Sequence, residues 1–138
     1  MKAISLWQPW ASLWLSPAKV HETRGWGTSY RGELLVHAAK RAAERDDDLD
    51  ALVRKYGLKL PTGGIIGVLT LVDCRQMKHT RPENEDDLIC GYWSNERLAW
   101  KRGAFRMFER PIPYRGMQGL FEVPDTVWLE RAGGDVPP

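Results

Sequence analysis

The sequence predicts an α+β domain in which five or six strands form a small, partly closed antiparallel β-barrel with two or three flanking helices. Strand-like segments lie near both ends of the chain, which does not fit the regular strand–helix alternation of a doubly wound sheet. Residues 65–72 are almost wholly apolar and β-branched, as in a central strand. Gly67 lies within this run and predicts a bulge or bend of the kind that small barrels use at corners.

Composition limits the possible classes of protein. The 138 residues are enough for one domain with a substantial core, and we expect residues 1–130 to form it and residues 131–138 to be a frayed tail. A hydrophobic fraction of 43% and a charged fraction of 28% are typical of a globular protein. The net charge of +2 is too small for an overall cationic field, so any basic surface that binds nucleic acid must be local.

No cofactor, metal or membrane partner is expected. The sequence contains no phosphate-binding glycine loop and no metal-ligand spacing, and its two cysteines, Cys74 and Cys90, are too few for a structural zinc site. No stretch approaches the roughly 18 apolar residues of a membrane span. An apolar N-terminal run has some features of an export signal, but Gln8 and Pro9 interrupt it. We therefore expect a cytoplasmic protein with reduced thiols.

The N-terminal segment combines a short strand with a tryptophan-rich helix. Residues 2–6 alternate as a strand does, and Pro9 has a backbone angle suited to the first turn of a helix. Trp7, Trp10 and Trp14 recur at spacings of three and four, which predicts one apolar stripe on that helix. Such a stripe is more typical of a core than of a base-stacking surface. Trp10 is the exception and a candidate for ligand contact, because it directly follows the turn at Pro9.

A charged segment, residues 17–24, follows this helix. If residues 20–24 are extended, Glu22 and Arg24 point to the same face, and Lys19 lies just before the strand within reach of both. A lysine beside a carboxylate and an arginine is suited to holding an anion, or to acid–base chemistry where burial disfavours the charged amine. Ordinary ion pairs on a surface strand explain this segment equally well when it is considered alone.

A glycine-rich loop, residues 25–32, comes next and carries Trp26 and Tyr30. Arg24 and Arg31 flank these two rings. This arrangement suits contact with single-stranded nucleic acid, because aromatic rings stack on bases and guanidinium groups bind phosphate. The rings are equally suited to folding back over the core, and the sequence leaves both interpretations open.

The remaining segments continue the mixed pattern. A strand over residues 33–39 ends near His37, which is either a hydrogen-bonded core histidine or part of a site. The helix expected over residues 41–56 contains three consecutive aspartates, Asp46 to Asp48, which point in different directions and so indicate a solvated face or a break between two short helices. We also expect a polar, mobile linker over residues 76–87, whereas residues 88–100 have no definite prediction. Two further strands are expected over residues 104–110, ended by Pro111 and Pro113, and over residues 120–123. A short segment over residues 126–129 follows them.

Several short blocks occur in a fixed order along the chain: residues 5–11, 19–24, 30–32, 37–38, 63–67 and 110–121. Together these blocks resemble the ASCH domain family, and the resemblance covers residues 1–123. The lysine, the glutamate or threonine, and the arginine of the family signature fall on Lys19, Glu22 and Arg24. Pro17 stands where the family usually has a glycine, so the turn before Lys19 departs from the family pattern.

The resemblance implies a PUA-like β-barrel with a cleft, a fold associated with binding of RNA or nucleotides. Some small relatives are amidohydrolases that act on acylated cytidines, and others are ribonucleases. In the amidohydrolase pattern the signature lysine and threonine fall on Lys19 and Glu22. Glutamate in place of threonine is a chemical departure, since a carboxylate and a hydroxyl do different work, and a further catalytic glutamate of those relatives has no match in this sequence.

Two hypotheses from different classes follow. In the first, the protein binds RNA, single-stranded nucleic acid or a modified nucleoside in a cleft beside Lys19, Glu22 and Arg24. The residues expected to contact that ligand are Gln8, Trp10, Arg24, Trp26, Arg31 and His37. In the second, the protein is an amidohydrolase of N4-acylated cytidine-type nucleosides, with Lys19 and Glu22 as catalytic residues. A ribonuclease is a weaker variant, because the sequence does not visibly pair its histidines.

Overall fold

A computed structural model of the chain describes residues 1–44 and 46–132, with side chains through residue 128. The strands are β1 (Lys2–Gln8), β2 (His21–Arg24), β3 (Gly32–Ala42), β4 (Gly64–Gln76), β5 (Leu98–Pro113) and β6 (Leu120–Glu122). The helices are α1 (Trp10–Trp14), α2 (Asp47–Lys55), α3 (Glu85–Ile89) and α4 (Asp125–Ala132), with a 3₁₀ turn at Met77–His79. None of the helices in this part of the chain is both long and apolar enough to cross a membrane.

The six strands form one sheet in the order β2-β5-β4-β3-β1-β6. All neighbours are antiparallel except β1 and β3, which run parallel. The α+β class is therefore confirmed, but the antiparallel barrel is found only in part. Among the described strands, β2 and β6 are the two edges of the sheet and do not pair with each other, so hydrogen bonding leaves the sheet open. Four helices accompany it, where two or three were expected.

The core lies on both faces of the central strands. Leu34 and Val36 of β3 belong to one apolar cluster, which also contains Trp14 and Trp100. Leu35 points the other way into a second cluster with Phe121. Because both faces of β3 are buried, its sequence is continuously apolar instead of alternating. A third cluster joins α1, α2 and the region after α3 through the buried side chains of Leu13, Ala18, Leu49, Leu52 and Cys90.

The prediction that Trp7, Trp10 and Trp14 form one stripe on a helix is wrong for Trp7, which lies in a strand. Strand β1 continues to Gln8, and only Trp10 and Trp14 lie in α1. The alternation of the strand buries Leu6 and Gln8 and turns Trp7 outward, where its side chain is 44% exposed. The spacing from Trp7 to Trp10 therefore joins the end of a strand to the start of a helix.

The run of aspartates begins a helix. Strand β3 extends through Ala42, so the helix expected over residues 41–56 starts only at Asp47. The Asp46 side chain accepts a hydrogen bond of 2.8 Å from the main-chain N–H of Leu49, which caps the helix. Asp47 and Asp48 occupy its first turn, where negative charge interacts favourably with the helix dipole.

Two predictions concern the longest strands, β4 and β5. The irregularity expected at Gly67 is confirmed, and the strand end expected at Pro111 is wrong. The pairing of β4 with β5 shifts register between Ile65 and Gly67, which confirms the expected irregularity at this glycine. A Cβ atom on Gly67 would lie 2.5 Å from the carbonyl oxygen of Arg106, so no side chain fits there. Strand β5 continues through Pro111 to Pro113. Since β2 pairs only with the first residues of β5, Pro111 lies where β5 has no described second neighbour. It also falls in the register shift between β4 and β5, where a proline is tolerated.

The expected linker over residues 76–87 is partly ordered into the 3₁₀ turn and the start of α3. Asn84 caps α3 by accepting a hydrogen bond from the Asp87 N–H. The C-terminal helix α4 includes the expected short segment over residues 126–129 and runs on to residue 132. The rest of the expected tail, residues 133–138, lies outside the described residues.

Candidate functional site

Strand β2 presents the charged segment of the sequence to a cavity at the edge of the sheet. It pairs with β5 so that Glu22 lies opposite Trp100 and Arg24 opposite Leu98. Glu22 and Arg24 share one face, as predicted, with Arg24 Nη1 3.6 Å from Glu22 Oε2. His21 points to the opposite face of the strand, where it contacts the ring of Trp93 edge-on.

Lys19 lies beneath this face and is completely buried. Its ammonium group donates a hydrogen bond to Glu22 Oε1 and lies 5.8 Å from the centre of the Trp14 ring. The main chain around it is held by Arg102, whose Nε donates to the Lys19 carbonyl oxygen at 2.9 Å. Since an unpaired buried ammonium is costly, Glu22 is required in this position to compensate the charge of Lys19.

The guanidinium group of Arg24 lies between the Glu22 carboxylate and the ring of Trp26. Its Nη2 donates a long hydrogen bond of 3.4 Å to the Ser5 carbonyl oxygen, and its guanidinium carbon lies 5.4 Å from the centre of the Trp26 ring. Its Nε is buried and has no hydrogen-bond acceptor among the described protein atoms. Arg24 therefore lines the cavity with its guanidinium group, while its Nε is a buried donor without an acceptor in the described part of the chain.

The cavity beside these residues has a volume of about 480 Å³, which is enough for one nucleoside. Glu22 and Arg24 line it together with three aromatic rings, those of Trp7, Trp10 and Tyr92. Other lining residues are Ser5, Leu6, Thr23, Asp46, Leu49, Ile89, Cys90, Gly91 and Arg97. In the described part of the structure Glu22 belongs to the cavity lining and Lys19 does not, so the Lys19 ammonium lies behind the Glu22 carboxylate.

A second buried pair, His21 and Asp87, fixes the back of β2. His21 Nδ1 lies 2.7 Å from Asp87 Oδ2, and Asp87 also accepts hydrogen bonds from the main-chain N–H groups of Val20, His21 and Glu83. Burial raises the pKa of Asp87, but the hydrogen bonds from His21 and Glu83 outweigh it and hold this pKa below its ordinary value. The pair ties α3 to β2, and the chain after α3 then forms the cavity wall at Cys90, Gly91 and Tyr92.

Two of the predicted ligand contacts are engaged elsewhere. The amide nitrogen of Gln8 donates to Ser12 Oγ at 2.7 Å and to the Pro61 carbonyl oxygen at 2.9 Å, and its oxygen accepts from the Ser12 N–H. Gln8 is buried, and its contacts fix the start of α1. Arg31 donates to the carbonyl oxygen of Thr28 at 2.9 Å and lies 3.6 Å from Asp73. Neither side chain is part of the described cavity linings.

His37 and Trp26 lie in two neighbouring hollows. His37 Nδ1 is 2.9 Å from Ser5 Oγ and its Nε2 is 2.7 Å from the Tyr114 carbonyl oxygen. Burial lowers the pKa of His37, and the hydrogen bond to Tyr114 offsets this only in part. His37 lines a cavity of about 900 Å³, and Trp26 lines a third one of about 630 Å³. Ser5 belongs to the walls of all three cavities.

Several residues of the cavity were not predicted from the sequence. Trp7 was assigned to a helix, although alternation through Gln8 would have turned it outward from a longer strand. Tyr92 and Arg97 lie in a segment without periodicity, and the arginine packs over the tyrosine ring at 5.1 Å. Within residues 1–44 and 46–132, no three His, Cys, Asp or Glu side chains lie together as a metal ion would require.

Comparisons with known proteins agree with this architecture. The model of the ASCH domain family matches residues 4–118. Over 92 residues, or 60% of the chain, the sequence is 32% identical to Activating signal cointegrator 1 of Homo sapiens and equally to that of Mus musculus. The match spans only 16% of those longer proteins. The fold is similar to the crystal structure of a mutant ZmASCH protein from Zymomonas mobilis, with a TM-score of 0.60 over 94% of both chains and 14% identity.

Proposed function

Because this chain belongs to the ASCH domain family, we propose that it binds RNA, another single-stranded nucleic acid or a modified nucleoside in the cavity beside Lys19, Glu22 and Arg24. The observation that carries the proposal is the buried chain of charges from Lys19 through Glu22 to Arg24, which ends at a cavity walled by aromatic rings. The supporting fold is of the PUA-like type, opened between β2 and β6.

The charges of this chain favour a ligand with negative charge. Two cations, Lys19 and Arg24, share one carboxylate, Glu22, so the chain carries an excess positive charge of one. Arg97 adds a second guanidinium to the lining and Asp46, which caps α2, adds a carboxylate, so the excess of one positive charge is kept. Phosphate oxygens are suitable acceptors for the guanidinium groups of Arg24 and Arg97 in this lining.

The aromatic rings and Glu22 suit the base of such a ligand. Trp7, Trp10 and Tyr92 lie on the same lining as the carboxylate, so a base can stack on a ring while its edge donates hydrogen bonds to Glu22. Trp26 and Arg24 continue the surface into the neighbouring cavity of about 630 Å³. A chain of nucleotides is therefore accommodated more readily than a single compact anion.

Fluorescence anisotropy with a 5′-labelled, single-stranded heptanucleotide RNA tests this function. We expect Arg24→Ala to weaken binding and to reduce its salt dependence, because one phosphate contact is lost. Arg31→Ala is the matched control, since this arginine is bound to Asp73 outside the cavities. Trp10→Ala should weaken RNA binding by about 1–3 kcal/mol if the ring stacks on a base. Circular dichroism must show that each variant is folded.

Two results would overturn the proposal. The first is a folded wild-type protein that binds neither the RNA nor N4-acetylcytidine at millimolar concentration. The second is an equal loss of affinity in Arg24→Ala and Arg31→Ala, which would place the RNA on the outer surface.

Hydrolysis of an N4-acylated cytidine is the second candidate function. It is favoured by the position of Glu22, whose carboxylate lies between the buried ammonium of Lys19 and the cavity. In this reaction Glu22 accepts a proton from the water that attacks the amide carbon, and Lys19 holds the carboxylate in place. The bond from this carbon to N4 then breaks, and the proton passes from Glu22 to the N4 of the leaving cytidine, which leaves acetate. Mass spectrometry of N4-acetylcytidine should then show cytidine and acetate with the wild type and not with Glu22→Gln. Equal conversion by the folded variant would exclude this mechanism.

A further inference from the structure

Ser5 and His37 lie side by side at the edge of the largest of the three cavities. Ser5 Oγ is 2.9 Å from His37 Nδ1, and on the far side of the ring His37 Nε2 is 2.7 Å from the carbonyl oxygen of Tyr114. A hydroxyl, a histidine and a third group that orients the histidine are the parts of an activated nucleophile. We propose that Ser5, His37 and the Tyr114 carbonyl form a serine-nucleophile site that cleaves esters of anionic acyl groups. This proposal does not depend on the ligand of the Glu22 cavity.

The hydrogen bonds determine the tautomer that this reaction needs. A main-chain carbonyl oxygen only accepts, so the proton of the neutral imidazole lies on Nε2 and is donated to Tyr114. Nδ1 is then an acceptor, and the Ser5 hydroxyl donates to it. Burial lowers the pKa of His37, which keeps the ring neutral and able to accept a proton at pH 7.

The loop after Tyr114 closes over this pair at a glycine. A Cβ atom placed on Gly116 would lie 2.7 Å from His37 Cε1 and 2.9 Å from Ser5 Oγ. Real contacts are never so short, so any larger residue would displace the histidine, the serine or the loop. Gly116 thus allows the main chain to pack directly against both reacting groups.

The cavity in front of the pair indicates the class of substrate. Its volume of about 900 Å³ accommodates a small organic molecule, and Lys40 and Arg115 are in its lining. No aspartate or glutamate belongs to that lining in the described part of the chain. Tyr114, Met117 and Pro113 supply apolar surface. An ester whose acyl group carries a carboxylate or phosphate matches this combination of cations and apolar surface.

The reaction has two balanced steps. Ser5 Oγ attacks the ester carbonyl carbon, its proton moves to His37 Nδ1, and the ester C–O bond breaks as the leaving alcohol takes that proton. Water then attacks the acyl–serine ester, His37 accepts one proton from it, and that proton returns to Ser5 as the free acid is released. No oxidant, metal or further reactant takes part.

The third group of this site differs from that of a Ser-His-Asp triad. A carbonyl oxygen is neutral and stabilises the imidazolium that forms during attack less than a carboxylate would. We therefore expect slow turnover and a measurable burst of leaving group, followed by slower release of the acid.

The first experiment labels the full chain with a fluorophosphonate probe and maps the modified residue by mass spectrometry. We expect one label per chain on Ser5 and none in Ser5→Ala. Ser94→Ala is the matched control, because Ser94 lies outside the linings of the three cavities. In His37→Gln the rate should fall by about 10²-fold or more, and in the wild type it should rise with pH until His37 is neutral and then level off.

The second experiment compares 4-nitrophenyl hemisuccinate with 4-nitrophenyl acetate. The anionic ester should react about threefold to tenfold faster relative to its rate in buffer, and replacing both Lys40 and Arg115 by alanine should remove this preference. Ser5→Cys should retain a burst, which keeps the test informative if Ser5→Ala does not fold. The proposal is overturned if the folded wild type is unlabelled, if the label lies on another residue, or if folded His37→Gln reacts as fast as the wild type. Equal rates with the two esters would overturn the anionic substrate class.

Discussion

Two buried hydrogen-bonded pairs, Lys19–Glu22 and His21–Asp87, lie back to back on strand β2 and differ in what surrounds them. The carboxylate of Asp87 accepts hydrogen bonds from three main-chain N–H groups as well as from His21. The carboxylate of Glu22 has only side-chain partners, Lys19 and Arg24, and it lines a cavity. Both pairs remove a carboxylate from water, yet only Glu22 lines a described cavity.

This difference separates a structural role from a functional one. A buried carboxylate whose partners are mostly main-chain groups fixes the path of the chain, because each donor would be left unpaired without it. A carboxylate held by flexible side chains is able to exchange partners when a ligand arrives. We therefore expect Asp87 to determine stability and Glu22 to determine binding.

The largest effect is expected when Asp87 is changed. Asp87→Asn replaces one carboxylate oxygen by an amide group that turns a donor toward buried N–H donors, so the free energy of unfolding should fall by about 3–5 kcal/mol. Urea denaturation measures this loss. Asp86→Asn is the control, because the Asp86 carboxylate is partly exposed and bonds only to the side chains of Tyr56 and Lys55 among the described residues, so its loss should be much smaller. Equal losses in the two variants would contradict the structural role of Asp87.

A smaller loss of stability is expected at Glu22. In Glu22→Gln the amide oxygen still accepts a hydrogen bond from Lys19 but no longer compensates its charge, which should cost about 1–3 kcal/mol. The double variant Lys19→Met/Glu22→Gln should be more stable than the sum of the single changes predicts, by about 0.5–3 kcal/mol. Strictly additive losses in urea denaturation would show that the two side chains do not depend on each other.

The pH dependence of stability should show two separate declines. Asp87 and His37 both have lowered pKa values in the folded state, so the unfolded chain binds more protons as the pH falls. The contribution of His37 should be complete above about pH 6.5 and that of Asp87 above about pH 4, the ordinary values of the two groups, and each should be lost below them. Thermal melts from pH 8 to pH 3 should show both declines, and His37→Gln should remove only the upper one.

The smallest effect is expected at Cys90, because the charges of Lys19, Glu22 and Asp87 affect the pKa of its thiol. Burial raises the pKa of its thiol to about 11; Lys19 lowers this pKa, whereas Asp87 and Glu22 raise it. About one thiol in a thousand is then ionised at pH 8, so iodoacetamide should react slowly. In a Cys74→Ala background, Glu22→Gln should increase the rate at Cys90 by less than about tenfold. An unchanged or lower rate in the folded variant would show that Glu22 does not act on this thiol.

The sequence predicted those parts of the fold that depend on local period and burial. Residues 65–72 are predicted as a central strand because they are almost wholly apolar and β-branched, and the structure buries Ile65 and Ile66 on opposite faces of the sheet. The two-residue period of a strand was also enough to place Glu22 and Arg24 side by side. In both cases the deciding contacts lie within a few residues or within one strand.

Other parts depend on neighbours that are distant in the sequence. Pro111 is tolerated in β5 because β2 is short, which cannot be read from the residues around the proline. The role of Asp87 depends on His21, 66 residues earlier in the chain. Trp7 was misplaced because the spacing of a helix also fits the junction of a strand and a helix. For these residues, local patterns were compatible with more than one tertiary arrangement.

The position of β1 between β3 and β6 has a consequence for folding kinetics. Its pairing with β6 brings together residues as far apart as Met1 and Glu122, which are separated by 121 positions. Such long-range closure loses chain entropy before its contacts form, so it slows the search for the native topology. Because Ser5 and Trp7 lie on β1, the three cavities that Ser5 lines, two of which Trp7 also lines, are complete only once this strand has docked.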